Sequence, residues 1–295
     1  GAAIAAPGKL GSAHLFIGAL AAAVMTYGIA VLTRRHINAA ATVVTVCGLA
    51  GTVAAARMWR PIPTQWLGMC TLVGLLLLLT LAPTIALWVA RIRPPYFGSI
   101  TGRDLFHRSS GLPADAVAPV DADGGEDANL DTTPSGALIA AAAKRANHVL
   151  TGICAGGALV LPAAVWATLM PGRGRSTHAA VLAGLFLLIF ISRGRAFADK
   201  RQAIALVCGA AGAMCVGVVK YVVHQPAASG EAVVWGAVVL AGFGLAGLAA
   251  ALLVPITRFT PLVRMIAEWL ELVAIIAALP LAAWIGGLFT WVRMR

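Results

Sequence analysis

Eight runs of about twenty mainly apolar residues divide this chain, the length an α-helix needs to cross a hydrocarbon core roughly 30 Å thick. They cover residues 13–33, 38–56, 66–90, 147–169, 177–192, 202–222, 232–255 and 268–292. Membrane-spanning strands would alternate in character over about ten residues, whereas Leu75 to Leu79 and Ala249 to Val254 are continuously apolar. The expected fold is all-α, a polytopic transmembrane helix bundle. Composition agrees, with 60% hydrophobic and 11% charged residues where a soluble domain carries about a quarter charged.

The runs group into three parts. Residues 1–90 hold three spans after an opening segment, Gly1 to Gly8, that has no initiator Met and reads as the tail of an earlier helix, so further N-terminal sequence is expected. Residues 91–146 form one long polar insertion with seven of the eleven acidic residues. Residues 147–295 hold the other five spans.

The insertion has its own divisions. Arg91 to Ser110 is basic and aromatic, and Tyr96, Phe97, Arg103 and Phe106 are candidates for contact with headgroups or a protein partner. Residues 111–134, rich in Asp, Ala, Gly and Pro, lack the apolar side chains needed to bury a core and read as a flexible acidic linker. From Ser135, a suitable N-cap, an Ala-rich helix with Lys144 and Arg145 can run unbroken into the fourth span and reach Leu169. At 1.5 Å per residue it would be about 50 Å long and would protrude from the membrane. The last span repeats the design, with Thr260 as N-cap, Pro261 as first helical residue, Arg264 and Glu268 one turn apart, and a possible end near Val292.

Net charge is +11, but the basic residues sit in the connections between spans, as membrane topology rather than nucleic-acid binding predicts. One set of alternating connections carries fourteen Lys and Arg and the other eight. The positive-inside rule then puts the insertion and the 193–201 loop, with Arg193, Arg195, Lys200 and Arg201, in the cytoplasm and both Gly1 and Arg295 outside. Without the insertion the two sides carry eight each.

Acidic residues occupy loops and span ends, whereas ion-coupled carriers keep an intramembrane carboxylate where it does work. A solute transporter or permease therefore stands as the alternative reading rather than the main one. The six histidines read as surface or interfacial, and no two share a helix face for haem or copper ligation. Cys47, Cys70, Cys154, Cys208 and Cys215 lie inside spans without metal or redox spacing and read as small buried residues. No catalytic motif, metal site or cofactor is indicated. Small residues are abundant instead: Gly152 and Gly156 make a GxxxG, and Gly209, Gly212 and Gly242 are further candidates for close helix packing. Pro83, Pro162 and Pro280 lie inside spans and should kink helices or mark their ends.

Four segments carry a resemblance: RPPYFGSITGRDLF (Arg93 to Phe106), AAAKRANHVLTG (Ala141 to Gly152), SRGRAFADKRQAIAL (Ser192 to Leu206) and RFTPLVRMIAEWLELVAIIAALPLAAWIGGLFTWVR (Arg258 to Arg293). They are similar to the EccD family, the multi-spanning membrane subunit of the mycobacterial type VII (ESX) secretion machinery, over nearly the whole chain except the acidic linker. That family has a ubiquitin-like domain and eleven helices, of which these eight would be the last. The resemblance implies a non-catalytic scaffold in the inner membrane. It would pair with a second EccD copy around a lipid-filled cavity, beside EccB, EccE and the ATPase EccC, for export of WXG100-type proteins. No Walker motif occurs here, so nucleotide hydrolysis would belong to EccC. The cytoplasmic flanks of the insertion, the 193–201 loop and the start of the last helix are the expected docking face for EccC and EccE.

Overall fold

The computed structural model describes residues 11–33, 35–90, 136–170, 176–197, 199–224, 230–253 and 261–286, with side chains from 140 onward in the second half and from 265 in the last helix. It contains eight α-helices and, among the described residues, no strand: α1 (Ser12–Thr33), α2 (Ile37–Trp59), α3 (Thr64–Val89), α4 (Gly136–Thr168), α5 (Ser176–Ala196), α6 (Lys200–Val223), α7 (Gly230–Leu253) and α8 (Pro261–Ile285). All eight are long and apolar enough to span a bilayer, so the chain is a polytopic helical membrane protein.

The expected long helix is continuous. α4 runs for 33 residues, about 50 Å, and passes through Pro162 without interruption, as α3 passes through Pro83 and α8 through Pro280. Threonines within the spans satisfy their hydroxyls locally by donating to the carbonyl four residues back. Thr42 bonds Asn38 at 2.9 Å, Thr71 bonds Leu67 at 2.7 Å, Thr151 bonds Asn147 at 2.8 Å and Thr168 bonds Ala164 at 2.8 Å.

α4 is the hub, packed on α2, α3 and α6, while α5 packs on α6 and α8, α1 pairs with α2, and α7 leans on α6. Lipid tails are as apolar as leucine, so contact geometry rather than water exclusion must hold these helices together. Small residues supply that geometry. A Cβ added at Gly152 would lie 2.6 Å from the Asn38 carbonyl oxygen, at Gly156 2.7 Å from Thr45 Cβ, and at Gly209 2.7 Å from Ala158 Cα. Gly68, on α3, meets the end of α4 in the same way, 2.6 Å from Thr168 Oγ1. Between these contacts Leu72, Leu75 and Leu79 of α3, Leu161 and Val165 of α4, and Phe186 and Phe190 of α5 are closed off completely.

Two expectations change. Of the five cysteines only Cys154 is buried; Cys47 is half-buried and Cys70, Cys208 and Cys215 are exposed, because a lipid-facing surface accepts an apolar thiol as readily as a core does. His14 is buried rather than interfacial, with Nδ1 accepting from the Gly11 N–H at 3.3 Å. Its ring folds back over the first turn of its own helix.

Candidate interaction surface

Two connections meet beside α4 at one end of the bundle. Gly152 sits against Asn38, and one turn further out His148 lines a cavity with His36 and Asn38, so the α1–α2 connection lies beside α4. Asn147, the next residue, bonds Asp199 in the α5–α6 connection. Nothing in the histidine spacing indicated that His36 and His148 would share a cavity. They do so through the close approach of α2 and α4 at Gly152.

A four-residue polar junction ties this end together. Asp199 is the N-cap of α6: its Oδ1 accepts from the Arg201 backbone N–H at 2.9 Å, and its Oδ2 from Asn147 Nδ2 at 2.9 Å. Gln202 Nε2 donates to Asn147 Oδ1 at 2.7 Å and to Thr151 Oγ1 at 3.1 Å. Gln202 is 1% exposed, so these partners are what makes a primary amide tolerable between two apolar helices. The Arg201 N–H first, and the Asn147 amide second, hold the Asp199 carboxyl below the usual aspartate range. The sequence did contain the signal. Asp199 and Gln202 stand at cap and third position, as in a capping box, and Asn147 and Thr151 share one face of α4.

Around the junction stands a basic rim. Lys144 and Arg145 on α4, Arg195 at the end of α5, and Lys200 and Arg201 at the start of α6 are all exposed. Arg193 is different. Its Nε lies 2.7 Å from Glu271 Oε1 on α8, both side chains are about a fifth exposed, and the contact is an ion pair without hydrogen-bond geometry at Nε. Glu268 is exposed on α8, one turn before Glu271, and Arg264 lies on the first turn of that helix. Tyr96, Phe97, Arg103 and Phe106 lie outside the described residues, as do the linker 111–134 and residues 287–295. Among the packing candidates, Gly152, Gly156 and Gly209 face backbones at close range and a Cβ at Gly212 would lie 3.6 Å from Pro162, but a Cβ at Gly242 would meet nothing within 4 Å.

At the opposite end, Lys220 closes the bundle. It is buried, donates from Nζ to the Trp166 carbonyl oxygen in the last turn of α4, and lies 5.1 Å from the centre of the Trp166 ring. A cation at a helix C-terminus offsets the negative end of the dipole and satisfies a carbonyl that has no intrahelical partner. His178 meets Trp284 edge to face at 4.6 Å, joining the start of α5 to the end of α8. No group of three or more metal-ligating side chains forms among the described residues.

A family model described as an EccD-like transmembrane domain matches residues 1–294. The chain is 51% identical over 297 residues to the ESX-2 secretion system protein eccD2 of Mycobacterium tuberculosis (strain CDC 1551 / Oshkosh), covering 99% of this chain and 58% of that protein. It therefore spans a little over half the length of that relative. Its fold is similar to a chain of the structure titled protomer 1 of the ESX-3 core complex, with TM-score 0.73 and 18% identity over 98% of this chain and 60% of the other. A chain of the MycP5-free ESX-5 inner membrane complex, State II, gives TM-score 0.61 and 24% identity over 85% and 52%. The EccD-like match over essentially the whole length, together with a bundle in which small residues seat α4 against its neighbours, shows that this chain belongs to the EccD family.

Proposed function

We propose that the chain is the membrane-spanning part of a non-enzymatic scaffold in a type VII (ESX) secretion complex of the bacterial inner membrane. The observation that carries this is the basic rim: Lys144, Arg145, Arg195, Lys200 and Arg201 stand exposed on a base made rigid by the Asn147–Asp199–Gln202 junction. Rigid support is what a docking face needs, because side chains already fixed lose little freedom when a partner arrives. The rim faces the cytoplasm in this reading, with the C-terminus outside, and its partners are the ATPase EccC and the subunits EccE and EccB. A second EccD copy would cover part of the lipid-facing surface. Assembly with a complex named for secretion comes from the eccD2 relative, whose own name makes it an ESX-2 secretion system protein.

Arg193 is not part of the docking set in this reading, since Glu271 occupies it. The test replaces Lys144, Arg145, Arg195, Lys200 and Arg201 by Ala in the full-length protein in its own membranes. Co-purification of the ATPase should fall while the amount inserted stays constant. Unchanged recovery of a large ATPase-containing assembly refutes the docking role, and recovery as a lone subunit with bound solute would favour a transporter.

A further inference from the structure

A cavity of about 370 Å³ opens among the ends of α4, α5, α6 and α7. Its body is carbon: Leu169, Leu187, Met214, Val218 and Val239. Its rim, near the helix ends, carries Ser176, Thr177, Tyr221 and Trp235. Along α5 it runs from Ser176 to Leu187, about 16 Å at 1.5 Å per residue, roughly half of a 30 Å hydrocarbon core. It therefore reaches from the membrane interface to the midplane and stops.

Those dimensions choose the occupant. A transmembrane helix would need the full membrane thickness of about 30 Å, and the cavity offers roughly half of it. A partner helix does not fit. Water finds almost no hydrogen-bonding partner in the body of the cavity and would not order there. A single extended hydrocarbon chain matches the depth and the apolar lining, and the rim offers hydroxyls where its ester group would lie.

We propose that this cavity is a binding site for one acyl chain of a membrane phospholipid, drawn from the leaflet at the α4–α5 end. Ser176, Thr177 and Tyr221 supply donors to the ester oxygens, and Trp235 lies at the level where indoles favour the interface. Transfer from bilayer to cavity yields no hydrophobic gain, so retention comes from van der Waals contact on several sides and from the rim bonds. The site is distinct from any space between two copies of the chain, because four helices of one copy line it. The chain would also wedge α7, which otherwise leans on α6 where Val218 and Val222 crowd Gly236.

Gly184 makes the site testable. It lines the cavity, and a Cβ there would meet nothing within 4 Å, so Gly184→Phe fills the cavity without touching backbone. The full-length protein in its native complex would be placed in nanodiscs of phosphatidylethanolamine and phosphatidylglycerol containing phosphatidylcholine with a diazirine in the acyl tail. After irradiation, labelled residues are mapped by peptide mass spectrometry. Leu187, which is 7% exposed and reached through the cavity, and Met214 should both be labelled in the wild type. In Gly184→Phe their labelling should fall about fivefold or more relative to the exposed Trp88, as overpacking a filled site requires. Ala180→Phe, at an exposed position of the same lining, provides the second variant if the first fails to assemble. Wild-type Leu187 and Met214 left unlabelled, or labelling at Leu187 that both variants leave unchanged, overturns the proposal.

Discussion

α4 and α7 are both rich in small residues, yet they sit in the bundle in opposite ways. More than half of the central span of α4 is buried, 56%, against 6% for α7. Gly152 and Gly156 of α4 press on α2, and Ala158 receives Gly209 of α6, whereas Gly242, Gly244 and Gly247 of α7 face open space. The difference teaches that a small residue permits close approach but does not cause it. α4 has a complementary surface on three sides and a polar junction at one end, and among the described residues α7 packs mainly on α6.

The largest effect should come from filling the approach that α4 depends on. Gly209→Leu places a branched side chain where a Cβ alone is 2.7 Å from Ala158 Cα and 2.8 Å from its carbonyl oxygen. Neither atom can move without shifting the α4 backbone. Overpacking of this kind costs about 1–3 kcal/mol or more, and here the upper end is expected, with loss of most folded protein in thermal or detergent denaturation. Gly244→Leu in α7 should change stability within about 0.5 kcal/mol in the same assay. Equal damage from both would erase the contrast between the helices.

This contrast is also where sequence and structure part. Eight apolar runs gave eight helices, and the long helix is unbroken from Gly136 to Thr168, because membrane thickness and hydropathy are properties of local sequence. Which glycines face a neighbour is not local. Gly152 and Gly242 look alike in the sequence, and only the placement of α2 separates them. The basic residues of the candidate site were visible for the same local reason, but Arg193 could not be told from Arg195. Two helical positions of difference turn Arg193 toward Glu271, a residue 78 positions away, and leave Arg195 exposed. Gln202 was legible in part, as the third residue after a capping Asp, but its burial against Asn147 and Thr151 depends on helix pairing.

If the polar junction adds to the packing of α4, its loss should be measurable without any change in volume at the glycines. Gln202→Leu removes the donor to Asn147 Oδ1 and Thr151 Oγ1 at a site 1% exposed, and should lower stability by about 1–2 kcal/mol. Asn147→Ala combined with it should add little further, since both act in one network. Additive losses would mean that the two side chains support α4 separately.

α8 tests an intermediate case, since it packs on α5 through Ala274, Ala278 and Ala282 and is also tied by the Arg193–Glu271 pair. A double-mutant cycle of Arg193→Ala and Glu271→Ala should give a coupling of about 0.5–1 kcal/mol, discounted because both side chains retain solvent contact. A coupling near zero would assign the attachment of α8 to the alanine face alone.

The smallest effect concerns pH, and it distinguishes the junction from the hydrocarbon-packed remainder of α4. Asp199 has a folded-state pKa below the ordinary aspartate value of about 3.9, because the Arg201 N–H and the Asn147 amide bond its charged form. A depressed carboxyl contributes stability that is fully present above the unfolded value and disappears as pH falls through the folded one. Between pH 7 and 5 the wild type and Asp199→Asn should therefore show parallel stability curves. Below about pH 4 the wild type should lose its advantage while the variant, which keeps an N-cap oxygen but cannot titrate, stays level at this site. Amide exchange at Arg201 is the direct readout: protection that falls with acid in the wild type and not in Asp199→Asn places the titration at the α6 cap, and an identical fall in both places it elsewhere.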